Sequence, residues 1–153
     1  DQLIVERFSE IHAKATRCEL FEWRENGKGR LAEIIVLDQF SRNMFRGTPL
    51  AFAHDQVALV LAQEALSQGV DKTLTPLERG FVYLPFMHSE SVKIHEIAED
   101  LYRQHAVESS LEWELKHKAI IDRFGRYPHR NDILGRKSTS EERAFLKEPN
   151  SSF

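Results

Sequence analysis

The feature that most constrains the fold is a stretch that is apolar on almost every side of a helix. Its periodicity predicts an α-helix over residues 30–44. Its apolar residues point in all directions around the helix axis: Leu31, Ile34, Ile35, Val36, Leu37 and Phe40. A helix with this pattern has to be surrounded by other elements. The sequence therefore predicts a fold built around one buried helix.

Start and stop signals divide the rest of the chain into further helices. The predicted segments are residues 2–23, 48–68, a helix from 75 that Pro85 disrupts, 89–105, 109–124 and a short helix from 139. Three pairs fit the capping-box pattern: Thr75 with Glu78, Ser109 with Glu112, and Thr139 with Glu142. Because no segment alternates with period two, we predict an all-α fold of about seven helices, packed as antiparallel pairs.

The composition limits the class of protein. The 153 residues suit one domain over residues 1–153, and 41% apolar with 29% charged residues indicates a globular chain. A net charge of −3 argues against nucleic acid as the main partner. No apolar run reaches the ~20 residues of a membrane span. With one cysteine, Cys18, no internal disulfide can form, and we expect a cytoplasmic protein.

The beginning of the sequence is already in helical rhythm and has no initiator methionine. Charged residues interrupt its apolar positions throughout, so it does not resemble a signal peptide. We therefore expect that a natural N-terminal segment precedes Asp1.

A polar stripe follows the apolar part of the helix predicted over residues 30–44. Gln39, Arg42, Asn43 and Arg46 are spaced i, i+3, i+4 and i+7, which places them on one face. The arginines could simply complement the helix dipole and reach solvent. Alternatively, the stripe faces an internal pocket, where arginine binds carboxylate or phosphate and the amides orient a ligand.

Histidines occur at two further positions that packing does not fully explain. His117 shares a helix face with apolar residues, which favours a buried, neutral histidine over a catalytic one. His88 lies just before Ser89 and Glu90, the predicted start of the next helix. A helix corner explains the serine and the glutamate. A helix N-terminus with a nearby histidine is also a natural seat for an anion.

The loop FGRYPHRN, residues 124–131, concentrates positive charge on a net-acidic protein. Gly125 and Pro128 indicate the end of a helix. Between residues 123 and 137 the chain has four Arg and one Lys against one Asp. Arg126, His129 and Arg130 belong either to a solvated basic loop or to the wall of an anion site, and Asn131 can fix the loop by a side-chain turn.

Motifs for metals and cofactors are missing from the sequence, so we predict neither. HEIAE, residues 95–99, departs from the HExxH zinc pattern and is interpreted as a helix surface. There is no glycine-rich dinucleotide motif, no phosphate-binding P-loop and no GxSxG.

Three separated blocks carry a resemblance: LDQFSRNMFRGTPLAFAHD (37–55), ERGFVYLPFMHSE (78–90) and HKAIIDRFGRYPHRNDILGRKSTSEE (117–142). Together they resemble the bacterial family of unknown function called DUF924, over residues 31–146. The resemblance implies a tetratricopeptide-like α–α superhelix and supplies no activity. Ser41 departs from it, because the family usually has proline there, and serine should let the helix continue more easily. The family's signature positions correspond here to Gln39, Arg42, Asn43, Arg46, His88, Ser89, Glu90, His117, Arg126, His129, Arg130 and Asn131.

The leading hypothesis is a polar pocket that binds a small anionic ligand, a carboxylate or a phosphate ester. Its predicted lining is Gln39, Arg42, Asn43, Arg46, His88, Glu90, Arg126, His129, Arg130 and Asn131. A second hypothesis is a hydrolase or lyase, in which His88 or His117 is the general base and Glu90 orients it.

Two further hypotheses need no small ligand. A helical scaffold with a basic groove could bind an acidic peptide. Alternatively, the cations pair with buried carboxylates in a structural network. The carboxylates available for that network are Asp38, Asp55, Glu78 and Glu90.

Overall fold

A computed structural model describes residues 2–153. Its α-helices are α1 Gln2–Thr16, α2 Gly27–Ile35, α3 Ser41–Met44, α4 Asp55–Ser67, α5 Pro76–Met87, α6 Val92–His105, α7 Glu108–Phe124 and α8 Ser140–Phe145. A π-helical turn, Val36–Phe40, joins α2 to α3 without a break, so these form one helix among seven. No strand occurs within residues 2–153, which confirms the all-α prediction. The tetratricopeptide-like arrangement stays a prediction.

Short 3₁₀ turns connect several of the helices. They are Phe21–Glu25, Pro49–Ala51, Val70–Thr73 and Pro128–Arg130. The last of these turns follows α7 and carries the basic loop.

The continuous helix α2–α3 lies at the centre, as predicted. It packs against α1, α4 and α5, and its residues contribute to two apolar clusters. Leu31 and Ile34 join the cluster between α4, α5 and α6, whereas Val36 and Leu37 join the cluster beneath α1. Burying each such side chain stabilises the folded state by about 1.5–3 kcal/mol. The central helix contributes these side chains to the core on both of its sides.

Ser41 occupies a fully buried position in the central helix. Its hydroxyl donates to the Leu37 carbonyl at 2.6 Å and accepts from His12 Nε2 at 2.8 Å. Both polar groups are therefore satisfied, and the helix continues through this residue as the sequence predicted.

The first predicted helix is shorter than expected. It ends at Thr16 rather than at residue 23, and Cys18 takes a left-handed conformation with φ of 58°. The chain then folds back as a 3₁₀ turn against the start of α2. There, a Cβ on Gly29 would lie 1.9 Å from the Trp23 carbonyl oxygen. Close approach of the two backbones therefore requires glycine at this position.

Two predicted helix starts were too early. The helix expected from residue 48 begins at Asp55, because the segment after Thr48 forms only the 3₁₀ turn Pro49–Ala51; the Thr48 hydroxyl donates to the Phe45 carbonyl and makes no cap. The helix expected from residue 89 is capped by Ser91, whose hydroxyl accepts from the Ile94 N–H.

The remaining start signals gave mixed results. α7 begins at Glu108 without a side-chain cap, so the predicted Ser109–Glu112 box was wrong. The boxes at Thr75 and Thr139 are both present. α5 continues through Pro85 to Met87, where burial of the apolar side chains offsets the missing N–H.

The packing of α5, α6 and α7 side by side, in chain order, positions the candidate site. α6 packs between α5 and α7, and α7 ends at Gly125, which has a φ of 69° as the termination signal predicted. This arrangement brings the end of α3, the end of α5 and the turn Pro128–Arg130 around one cavity.

Candidate functional site

A cavity of about 340 Å³ opens where these three segments meet. We call it the cationic cavity, and its lining is Gln39, Arg42, Asn43, Arg46, Gly47, Ala51, Phe52, His88, His117, Tyr127, His129, Arg130, Ile133 and Phe153. Three arginines and three histidines are in this lining. No Asp or Glu side chain is among the lining residues of the described chain, so the cavity has the lining expected of an anion site.

The predicted polar stripe faces this cavity. Gln39, Arg42, Asn43 and Arg46 are all in its lining, at the C-terminal end of the central helix. The Asn43 amide donates to the Gln39 carbonyl at 3.0 Å, and its Oδ1 accepts from Arg46 Nη2 at 3.1 Å. The stripe is therefore an ordered wall rather than a set of freely solvated side chains.

Arg42 is fixed from behind by two carboxylates. It donates to both oxygens of Asp55, at 2.8 and 2.9 Å, and its Nη1 lies 3.1 Å from Asp38 Oδ1. This two-point geometry orients the guanidinium. The structure thus contains part of the paired-charge network that the sequence allowed, with Asp38 and Asp55 as its acids. Glu78, also considered for that network, instead contacts Lys28 at the surface.

Arg130 is the most buried cation of the cavity, with 7% of its side chain exposed. Its guanidinium carbon lies 4.6 Å from the centre of the Phe52 ring and 4.5 Å from that of Tyr127. Nη2 donates to the His88 carbonyl at 3.1 Å, and Nη1 reaches Asp55 at 3.4 Å. Nε is buried and has no hydrogen-bond partner. Burial, followed by the charge of Arg42, lowers the pKa of Arg130.

His88 forms a hydrogen-bonded pair with a carboxylate, but not with the predicted one. Its Nδ1 lies 2.8 Å from Asp38 Oδ1, and Asp38 is 1% exposed. Gln39 donates to the other Asp38 oxygen at 2.5 Å. The ring therefore donates from Nδ1 and keeps Nε2 as an acceptor. Burial, followed by the charge of Arg42, lowers the pKa of His88 and favours its neutral form.

Sequence reasoning missed Asp38 as the partner that orients His88. The sequence did contain a sign of this partner: Asp38 lies inside an otherwise apolar helix, and a buried charge requires an oppositely charged or hydrogen-bonding partner. Although burial alone would raise the pKa of Asp38, His88 and Arg42 outweigh it and hold that pKa below its ordinary value.

The other two histidines of the cavity are also held neutral. His117 donates from Nδ1 to the Trp113 carbonyl at 2.7 Å and stacks on Phe153, with ring centres 3.8 Å apart. Burial lowers the pKa of His117 to about 3. Burial and the charge of Arg130 lower the pKa of His129 to about 4, and its Nδ1 is buried without a partner.

Three residues expected at the site are absent from this lining. We call the group that contains them the loop ion-pair cluster: Glu90, Arg126, Asn131, Arg136 and Glu142. Glu90 takes two hydrogen bonds from Arg136, at 2.6 and 2.9 Å, and one from the Tyr127 N–H at 2.7 Å. Glu90 is therefore engaged by the loop and does not contact His88, contrary to the predicted pairing.

Arg126 and Asn131 are held in the same cluster. Arg126 donates to both oxygens of Glu142, at 2.6 and 2.8 Å. Asn131 bonds Ser138 at 3.0 Å and accepts from Arg136 at 3.0 Å. The local excess of positive charge is thus balanced by acids from other segments, which a count over residues 123–137 did not include.

His95 was predicted on a helix surface, and that was wrong. It is fully buried, with Nδ1 2.7 Å from Glu114 Oε1 and Nε2 2.8 Å from the Ser89 carbonyl. The Tyr127 hydroxyl lies 3.2 Å from the same Nε2. This group ties the loop after α5 to the loop after α7 and so supports two walls of the cavity.

Within residues 2–153, no three His, Cys, Asp or Glu side chains come together as a metal site would require. None of the helices in that range combines the length and apolar character needed to cross a bilayer.

Comparison with known proteins identifies the family. No curated protein matches the chain. A solved structure of a protein of unknown function from Agrobacterium tumefaciens is similar to it, with 41% sequence identity and a TM-score of 0.89 over 94% of this chain and 81% of that one. The model of a family described as bacterial proteins of unknown function matches residues 1–150. The chain therefore belongs to the DUF924 family.

Proposed function

We propose that the cationic cavity binds a small molecule through a carboxylate or phosphate group. The observation that carries the proposal is a pair of buried nitrogens without partners, Arg130 Nε and His129 Nδ1, on two residues that line a cavity with no Asp or Glu side chain in its lining. Leaving a buried polar group unpaired costs about 1–3 kcal/mol. An anion that accepted hydrogen bonds at these positions would remove that cost.

The arrangement of the arginines supports the same conclusion. Arg42 is oriented by Asp55, and Arg130 is held between two aromatic rings. Binding would not have to order either side chain, so little conformational entropy would be lost. Asn43 and Gln39 add amides that can select an orientation for the ligand. A volume of about 340 Å³ suits a small molecule better than a peptide.

The His88–Asp38 pair supports a second function, a hydrolase or lyase. With Nδ1–H donated to the carboxylate, Nε2 can accept a proton from water or from substrate. Arg130, next to the His88 backbone, would stabilise negative charge that develops on the substrate. Turnover would then show a bell-shaped pH profile and would be lost in Asp38→Asn, whereas simple binding would persist in that variant.

Native mass spectrometry of the purified protein, followed by calorimetric titration with inorganic phosphate and with acetate, tests the binding proposal. Arg130→Gln should weaken binding at least tenfold. Arg126→Gln is the matched control, because it makes the same change in an arginine outside the cavity. Thermal melting establishes that both variants fold. Absence of binding in the wild type, or equal weakening in both variants, would overturn the proposal.

A further inference from the structure

The geometry points to an amphiphilic ligand: we infer that the anionic head occupies the cationic cavity while a hydrocarbon tail occupies the apolar cavity beside it. This inference rests on the proposed function and adds the class of ligand. Medium-chain fatty carboxylates and alkyl phosphates have this chemistry.

The apolar cavity has a volume of about 500 Å³. Its lining is Gln39, Leu77, Gly80, Phe81, Leu84, Met87, His88, Tyr102, Ser110, Trp113, His117, Asn150, Ser152 and Phe153. Phe81 on α5 and Trp113 on α7 are large apolar side chains, and they remain 41% and 50% exposed. Exposed apolar groups gathered in one concave surface are typical of a ligand site.

The two cavities share one wall. Gln39, His88, His117 and Phe153 line both of them. In that wall the Phe153 ring stacks on His117 and meets the Trp113 ring edge-on, with centres 6.2 Å apart. A ligand with its charge at one end and its apolar part next to it would pass over these rings and contact both sides.

The chemistry of the apolar side favours a hydrocarbon rather than a polar extension. The Tyr102 hydroxyl, its most buried polar group, already donates to the Gly80 carbonyl at 3.0 Å. The cationic side carries three arginines and does not suit an apolar group. We therefore assign the anionic head to the cavity with the arginines and the hydrocarbon tail to the apolar cavity.

Titration of the protein with sodium butyrate and sodium octanoate tests the inference. Both have the same head group, and octanoate adds four methylenes. Each fully buried methylene tightens binding by about fourfold. Because the apolar cavity is open, we expect octanoate to bind at least tenfold more tightly than butyrate. Equal affinities, or binding of inorganic phosphate without either carboxylate, would overturn the tail assignment and leave the proposed function standing, whereas no binding of any of the three would overturn both.

Phe81→Asn tests where the tail lies, and Ile97→Asn is its control. Both side chains are apolar and about 40% exposed, but Ile97 is on α6 and outside the lining of this cavity. Phe81→Asn should bring octanoate affinity close to that of butyrate and leave butyrate unchanged, whereas Ile97→Asn should change neither. Octanoate binding that is unaffected by Arg130→Gln, or equally weakened by both asparagine variants, would overturn the head-and-tail assignment.

Discussion

The cationic cavity and the loop ion-pair cluster are built from the same residue types and share the loop after α7. In the cluster, each arginine meets a carboxylate through two N–H groups, Arg126 with Glu142 and Arg136 with Glu90. In the cavity, Arg130 reaches its nearest carboxylate at 3.4 Å and leaves Nε unpaired. Both arginines of the cluster are therefore paired without a ligand, whereas in the cavity only Arg42 has such a two-point pairing and Arg130 does not.

The difference shows that an arginine's role depends on which acids the fold brings to it. Glu142 is fixed at the start of α8, where it also accepts from the Thr139 N–H at 2.7 Å. Arg126 therefore finds a preformed partner. Neighbouring Arg130 points to the interior, between aromatic rings, where its nearest carboxylate, Asp55, is already bound by Arg42. Experiments on both regions test this contrast.

Removing Glu142, one of the two acids of the cluster, should lower stability and leave binding intact. Glu142 is buried, accepts two hydrogen bonds from Arg126 and completes the α8 capping box. Glu142→Ala should lower the free energy of unfolding by about 2 kcal/mol, because it removes a part-buried ion pair and breaks the capping box. Urea unfolding measures this. Phosphate affinity that fell at least tenfold in the folded variant would contradict the separation of the two regions.

Acid should weaken the cavity before it weakens the cluster. The pKa of His117 is about 3 in the fold against 6.5 when unfolded, so its contribution is complete above pH 6.5 and is lost as pH falls. The pKa of Glu142 is about 2 against 4.5, so its contribution begins to fail only below pH 4.5. Between pH 6.5 and 4.5, the His117 contribution falls by about 2 kcal/mol.

The measurement is urea unfolding across this pH range, with His117→Asn as the comparison. Asparagine can donate to the Trp113 carbonyl but does not titrate. The variant should therefore have a shallower slope between pH 6.5 and 4.5, by up to one proton, and this difference should persist down to about pH 3. Identical slopes would show that His117 is not held neutral by burial.

A conservative change of the cavity's buried arginine should affect binding more than folding. Arg130→Gln should lower phosphate affinity at least tenfold, which corresponds to about 1.4 kcal/mol, because the ligand loses a charged donor. Arg136→Gln makes the same change in the cluster and should reduce only the melting temperature. Calorimetry and melting curves on both variants separate these outcomes. Weaker phosphate binding in Arg136→Gln but not in Arg130→Gln would contradict the prediction and place the anion at the cluster.

Anion binding should be accompanied by a small proton uptake. An anion beside His129 raises the pKa of that ring from about 4, so sulfate affinity should rise about two- to threefold from pH 6 to pH 5. Sulfate keeps its charge over this range, and His129→Gln should remove the dependence. An affinity that stays constant with pH in the wild type would place the anion away from His129.

Local chemistry made much of the fold predictable. The apolar helix around Leu37 is central, the boxes at Thr75 and Thr139 form, and Gly125 ends α7, because each depends on residues within about one helical turn. Predictions failed where a local signal had a competing partner. The Thr48 hydroxyl donates to the Phe45 carbonyl instead of capping a helix. The first helix ends at Thr16, and the turn that follows packs on Gly29.

The amino-acid sequence is enough to predict that the chain is helical, that one helix is buried and that the stripe from Gln39 to Arg46 shares a face. Those properties follow from spacing along the chain. The tertiary fold is needed to establish that Asp38 orients His88, that Glu142 binds Arg126 and that Glu114 contacts His95. The partners in the first two pairs are 50 and 16 residues apart, and those in the third are 19 apart. A buried charge is stabilised by whichever opposite charge the packing brings within about 3 Å, and spacing along the chain does not specify that partner.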